Sequence, residues 1–310
     1  MNAPIDARAA SRHGLILIML TAVLWGTVGT AVQLIYGLSE TNPLSIGFFR
    51  LIFSVPVLLA ACWYTLGRRM FRITPRDLGI MLLMGAFMAF YQVCYFASIA
   101  RVGVAVAVLV TLCTAPVMVA ILSALLLRER LTGATMLALV CALAGTVLLV
   151  WVGPEIGGAR RDTLAGVLLA LGSAFGYTML TLCSRTLAGR YHALQTITIG
   201  FAAGALLLLP FALATGFVVS YTAEGWALLL YLGLVPTALA YVLFLTGMRS
   251  ITATVASIAT LIEPLTSTLL AWLFFGEQLG PLGVFGAALL LGAIGLLYRG
   301  ESRRARVVVA

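Results

Sequence analysis

The chain has no lysine: all 19 of its basic residues are arginine. Charge of either sign is scarce, at 9% of residues against 62% hydrophobic, far from the roughly 25% charged of a soluble globular protein. No phosphate-binding loop, no cluster of metal-ligating side chains and no nucleophile–base pair occurs. Those absences leave no basis for an ATPase, a metalloenzyme or a hydrolase, so neither an enzyme nor a cofactor is expected. The five cysteines (Cys62, Cys94, Cys113, Cys141 and Cys183) all fall in apolar runs without metal-type spacing, and are expected as buried free thiols. His13 and His192 lie in the flanks of those runs and are expected to be solvated. A formal net charge of +9 would suit a nucleic-acid partner, but the arginines are spread through short loops rather than gathered on one face. Membrane topology accounts for them, which makes the lipid bilayer the expected surroundings and nucleic acid an unexpected partner.

What is present is a succession of apolar runs of bilayer-crossing length. Ten spans are predicted: 14–36, 44–66, 77–99, 104–127, 132–152, 164–187, 193–216, 224–247, 252–275 and 280–298. The first follows a basic start, as in a signal peptide, but it is too long and lacks a small-residue cleavage site, so it is read as a retained helix. With the N-terminus placed in the cytoplasm, 15 arginines fall in inside segments and only Arg101, Arg160 and Arg161 in outside loops, with Arg50 within a span. This bias puts both termini in the cytoplasm of a bacterial-type inner (plasma) membrane. The expected organisation is a tail at 1–13, five spans over 14–152, a periplasmic linker at 153–163, five spans over 164–298, and a tail at 299–310.

The halves echo each other at a shift of 148 residues. Gly85 meets Gly233, Phe96 meets Phe244, Arg101 meets Arg249, Pro116 meets Pro264, Glu129 meets Glu277, and Leu131 meets Leu279. An odd number of spans per half inverts the second repeat relative to the first. The charges agree: Arg128-Glu129-Arg130-Leu131 falls inside, and its partner Gly276-Glu277-Gln278-Leu279 falls outside without arginine. Inverted repeats meeting at a midplane site are the plan of an alternating-access transporter.

Several short motifs then recur in a fixed order. Trp25-Gly26 in span 1 is echoed by Phe175-Gly176 in span 6, and Arg50 lies in span 2. Span 4 carries Pro116 and is followed by Glu129-Arg130-Leu131, while span 9 carries Glu263-Pro264 and is followed by Gly276-Glu277-Gln278-Leu279. Over residues 14 to 298 this pattern resembles the drug/metabolite transporter superfamily in its ten-helix EamA-type branch, and within it the YddG-type exporters of aromatic amino acids. The resemblance implies an all-α integral membrane fold, two inverted five-helix bundles around a central cavity. Spans 1, 3, 4, 6, 8 and 9 would line that cavity, with spans 5 and 10 peripheral.

Polar and aromatic side chains at helical spacing mark the candidate cavity: Trp25, Tyr91, Gln92, Tyr95, Ser173, Tyr177, Tyr241, Thr260 and Glu263. Rings would cover a ligand side chain and polar groups would fix its ends. The same hydroxyls could instead bond their own backbone, and the rings simply pack. Glu263 is the only acidic group in the middle of a span. Three readings stay open for it: pairing with a substrate ammonium, carrying a proton, or capping the Thr260 carbonyl that Pro264 cannot serve. Arg50 either snorkels to the outer headgroups or attracts a substrate carboxylate. Pro116 and Pro264 are candidate hinges, with static kinks as the alternative.

These readings combine into an inner-membrane exporter of small neutral amino acids, aromatic ones such as Trp, Phe and Tyr with Met and Thr as further candidates, working by alternating access. The alternatives are export of another small metabolite or drug, an intramembrane enzyme, or a passive channel. The expected partners are a small-molecule substrate and lipid; a monomer and a homodimer through the peripheral helices both fit.

Overall fold

Helix starts follow local chemistry. Asn42 accepts the Ser45 N–H at 2.9 Å, with Pro43 opening α2 (Pro43–Leu66). Thr74 and Pro75 repeat this for α3 (Pro75–Leu126), and Thr222 and Thr252 cap α7 (Ala223–Gly233) and α9 (Ala253–Ala259). Each cap oxygen serves an otherwise open N–H, and a first-position proline gives up a donor the helix does not use. The structure, a computed structural model, describes residues 3–150, 160–275 and 281–307. Its other helices are α1 (Ala3–Leu38), α4 (Gly133–Val150), α5 (Arg160–Leu187), α6 (Ala193–Ala214), α8 (Ala240–Gly247), α10 (Ile262–Phe275) and α11 (Pro281–Val307). A 3-10 turn covers Gly67–Phe71 and a π turn covers Leu234–Leu239. Among the described residues there is no β-strand. The motif at 276–279, Trp151 and the linker residues 153–159 lie outside the described residues.

Among the described residues nine helical segments are long and apolar enough to cross a bilayer, and Gly133–Leu148 adds a shorter apolar helix. Leucines such as Leu125, Leu206 and Leu273 stand exposed on the outside, an apolar surface suited to lipid. Two details differ from expectation. Helix continues into both flanks, from Ala3 in α1 and to Val307 in α11. Spans 3 and 4 are joined without a loop, because α3 stays helical for 52 residues. Drawn straight, α3 would reach about 78 Å at ~1.5 Å per residue, far beyond the ~30 Å hydrocarbon core.

The contacts of α5 show how α3 folds back. Ser98 Oγ donates to the Gly166 carbonyl at 2.8 Å, Gly176 lies against Tyr91, and Ser184 reaches Met84. Advancing along α5 therefore retreats along the first arm of α3. Thr111 donates to the Ala170 carbonyl at 3.3 Å and Thr178 to that of Ala115 at 3.4 Å, so the second arm advances with α5. The chain reverses near Val102, where Gly166 makes room for the Val102 side chain.

Contacts across the halves define two ends. At the arginine-rich end Arg12 lies over the Tyr298 ring at 5.1 Å, Arg190 pairs with Asp77 at 2.8 Å, and Arg185 pairs with Glu129 at 3.2 Å. At the other end Asn42 donates to the Gly216 carbonyl at 2.6 Å and the Val218 N–H to Ser45 at 3.0 Å. Helix α2 runs from this second end to the first. Its counterpart α6 begins where Gln195 bonds the Met70 carbonyl and finishes next to Asn42, so it runs the opposite way.

Two glycines make the pseudo-symmetry concrete. A Cβ on Gly85 would collide with Gly200 O and sit 2.8 Å from Ala203 Cβ of α6; a Cβ on Gly233 would sit 2.8 Å from Phe53 Cβ of α2. The positions differ by the repeat shift, and each lets one half approach the other half's second helix closely. Helices α4 and α11 pack on each other, with Gly145 against the Gly286 carbonyl.

Candidate functional site: an aromatic and charged centre between the halves

The centre is built where span 9 breaks. Helix α9 ends at Ala259 and α10 starts at Ile262. Across the gap the Leu261 N–H donates to the Ile258 carbonyl at 3.1 Å and the Glu263 N–H to the Thr260 carbonyl at 2.9 Å. Both bonds reach three residues back, tightening the chain as in a 3-10 turn. The Thr260 carbonyl that Pro264 cannot serve thus has a donor in the backbone, which removes the motive for capping by the Glu263 side chain. Glu263 enters the first turn of α10, where the helix dipole favours an anion. Among the described residues its carboxylate forms no ion pair and no hydrogen bond.

Around Glu263 gather most of the candidates. Gly26 brings α1 onto the break: a Cβ there would lie 2.8 Å from the Glu263 carbonyl oxygen. The preceding Trp25 packs its ring 4.9 Å from Tyr241, 5.4 Å from Phe244 and 6.3 Å from Tyr177. Tyr177 in turn meets Tyr91 edge-on at 6.2 Å. Tyr91, Tyr95 and Tyr177 lie within electrostatic reach of Glu263, and Thr260 lies beside the Tyr177 hydroxyl, its own hydroxyl donating to the Ser257 carbonyl at 2.8 Å. Although enclosed by protein atoms, Tyr91, Tyr177 and Glu263 keep an intermediate share of accessible surface.

Other candidates stand apart from that ring. Gln92 is buried against α2, its Oε1 2.6 Å from where a Gly47 Cβ would be. Ser173 is fully buried, and among the described residues neither its hydroxyl nor the Trp25 indole N–H has a hydrogen-bond partner. Tyr241, which does belong to the ring through Trp25, is buried, its hydroxyl 3.9 Å from the Met88 sulfur. Pro116 lies in an unbroken stretch of α3.

Arg50 reaches toward the same centre. Its Nε donates to Thr237 Oγ1 at 3.2 Å, and its charge acts on Glu263, Tyr91 and Tyr241. The reason lies in Pro236. A proline there cannot bond the Leu232 carbonyl four residues back, and the Thr237 hydroxyl donates to that carbonyl instead, at 2.6 Å. The resulting π turn holds Thr237 inward, its oxygen free to accept from Arg50. Close approach at Gly233 shortens the reach, since a Cβ there would lie 3.3 Å from the Arg50 carbonyl. The signal for this arrangement is the Pro-Thr dipeptide of span 8.

A polytopic helical protein of inverted halves, with a polar and aromatic centre between them, has the build of a membrane transporter. Residues 12–151 and 164–299 each match the EamA-like transporter family, and the chain belongs to that family. It is 33% identical over 282 residues to the uncharacterized transporter YwfM of Bacillus subtilis, covering 91% of this chain and 92% of that protein. It is 29% identical over 293 residues to a protein of Streptantibioticus cattleyicolor named "Probable terminal-alkyne amino-acid exporter", covering 93% and 94%. A crystal structure with 21% sequence identity superposes with a TM-score of 0.78, over 91% of this chain and 95% of that one, a likeness of fold.

Proposed function

We propose that this transporter exports small neutral amino acids across the bacterial inner membrane by alternating access, with aromatic ones such as tryptophan, phenylalanine and tyrosine as its main substrates. Methionine and threonine are the next candidates. The observation that carries this reading is the ring of Trp25, Tyr91, Tyr177 and Tyr241 beside Glu263, contributed by both halves at the helix break. Aromatic faces cover an apolar side chain, and a few fixed polar groups hold its ends. The relative named as an amino-acid exporter points to the same class of substrate.

In this reading the arginine-rich end, carrying both termini, faces the cytoplasm. Rocking of one half on the other opens the centre to each side in turn, with the break before Pro264 as the yielding point in span 9. Counterflow into proteoliposomes preloaded with one amino acid tests the proposal, using a panel of Trp, Phe, Met, Thr and charged controls. Saturable exchange of the neutral members without the charged ones is expected. No exchange of any amino acid by folded protein would move the substrate to another class of metabolite.

A further inference from the structure

Two opposite charges face the same interior, one from each half, and among the described residues neither forms an ion pair. Arg50 comes from α2, held through its Nε by Thr237; no hydrogen bond to its terminal nitrogens is found among the described residues. Glu263 comes from the first turn of α10, its carboxylate without a hydrogen bond among the described residues. The charges sense one another, yet the two ion pairs among the described residues are Arg185–Glu129 and Arg190–Asp77, both at the arginine-rich end. An unpaired charge at membrane depth is costly, by at least ~2.5 kcal/mol on insertion scales. A ligand that satisfies both groups must bring an anion and a cation together while adding no net charge.

Resting on the exporter reading above, the geometry points to a zwitterion clamp: Arg50 binds the α-carboxylate, Glu263 binds the α-ammonium, and the aromatic ring takes the side chain. The guanidinium offers a planar fork that matches a carboxylate. Thr237 is a positioning residue, since it touches Arg50 and acts through it. Pro236 belongs to the same device, because it frees the Leu232 carbonyl that orients the Thr237 hydroxyl. The substrate class is therefore narrower than small neutral molecules. An amino acid with either end blocked leaves one buried charge unanswered, and sites built to bond a polar group reject ligands that lack it.

Binding in detergent, read as thermal stabilisation, tests the clamp without requiring turnover. The probes are L-phenylalanine, phenylalaninamide (no carboxylate) and 3-phenylpropionate (no ammonium). Wild-type protein is expected to bind each half-analogue at least about tenfold more weakly than phenylalanine, as a lost charged hydrogen bond implies. Arg50→Gln should lose the discrimination against the amide and keep that against phenylpropionate; Glu263→Gln should do the reverse. Thr237→Val should weaken phenylalanine binding but leave the amide unaffected, and Thr237→Ser should restore the wild-type pattern. Arg50→Lys and Glu263→Asp serve as charge-conserving controls for folding. Equal binding of all three probes by the wild type, or variants that keep both discriminations, would overturn the clamp while leaving amino-acid export standing. A wild type that neither binds nor exchanges any neutral amino acid would overturn the export reading and the clamp with it.

Discussion

Spans 4 and 9 occupy equivalent places in the two halves, and each has a proline near its centre, yet only one is broken. The second arm of α3 runs through Pro116 without interruption, whereas span 9 stops at Ala259 and restarts at Ile262. Before Pro116 stands Ala115, its carbonyl within reach of the Thr178 hydroxyl of α5. Before Pro264 stands Glu263, whose N–H turns to the Thr260 carbonyl, and Gly26 lets α1 press against the same point. A proline at a shared position removes one backbone bond in both halves; its neighbours decide whether the helix bends through or breaks. The pseudo-symmetry supplies the frame, and the departure from it places the Glu263 carboxylate at the break.

The largest effect that would sharpen this comparison is expected at Glu263. Glu263→Gln keeps the shape of the site but removes its charge, and transport should fall roughly 10- to 100-fold, the range of a lost hydrogen bond to a charged group. Normal transport by a folded variant would show that the break, not the carboxylate, is what matters. The two prolines come next. Pro264→Ala is expected to lower turnover several-fold by mending span 9. Pro116→Ala should leave turnover near wild type and raise thermal stability, by at most about 3 kcal/mol, since α3 is already continuous. Equal effects at the two sites would erase the distinction between them.

The glycine pair tests the frame itself. Gly85→Ala and Gly233→Ala should each destabilise by about 1–3 kcal/mol through overpacking, measured by thermal unfolding in detergent. The larger loss is expected at Gly85, whose added Cβ meets the Gly200 backbone rather than a side chain. Loss at only one of them would break the equivalence. The smallest effect is expected at Glu129, which takes the Ala253 N–H at 3.1 Å and pairs with a partly exposed Arg185. Glu129→Gln should cost about 1 kcal/mol, because a screened pair and one capping bond are at stake. A cysteine reporter near Ala253 should gain accessibility from the arginine-rich end; unchanged labelling would contradict a role in holding that end closed.

Much of this fold was legible because bilayer crossing demands long apolar runs, and ten were readable from hydropathy alone. The reversal between spans 3 and 4 was not, since Arg101-Val102-Gly103 looks like a loop and helical backbone can carry the turn. At the site, the grouping of Trp25 with Tyr177 and Tyr241 followed from residue type and spacing. The direction of Gln92 was not legible, since it follows Tyr91 in sequence while its side chain turns toward Gly47. The inward course of Arg50 depends on a carbonyl freed in another helix, and no pattern within span 2 reports it. Local periodicity shows which residues share a face; which faces meet is a tertiary matter.

The most direct test of the central claim is trans-stimulation in proteoliposomes, comparing labelled phenylalanine uptake with and without unlabelled phenylalanine inside. A carrier whose site is exposed to one side at a time gives saturable uptake that internal substrate accelerates. Uptake that rises linearly with concentration and ignores the internal amino acid would contradict alternating access through this centre.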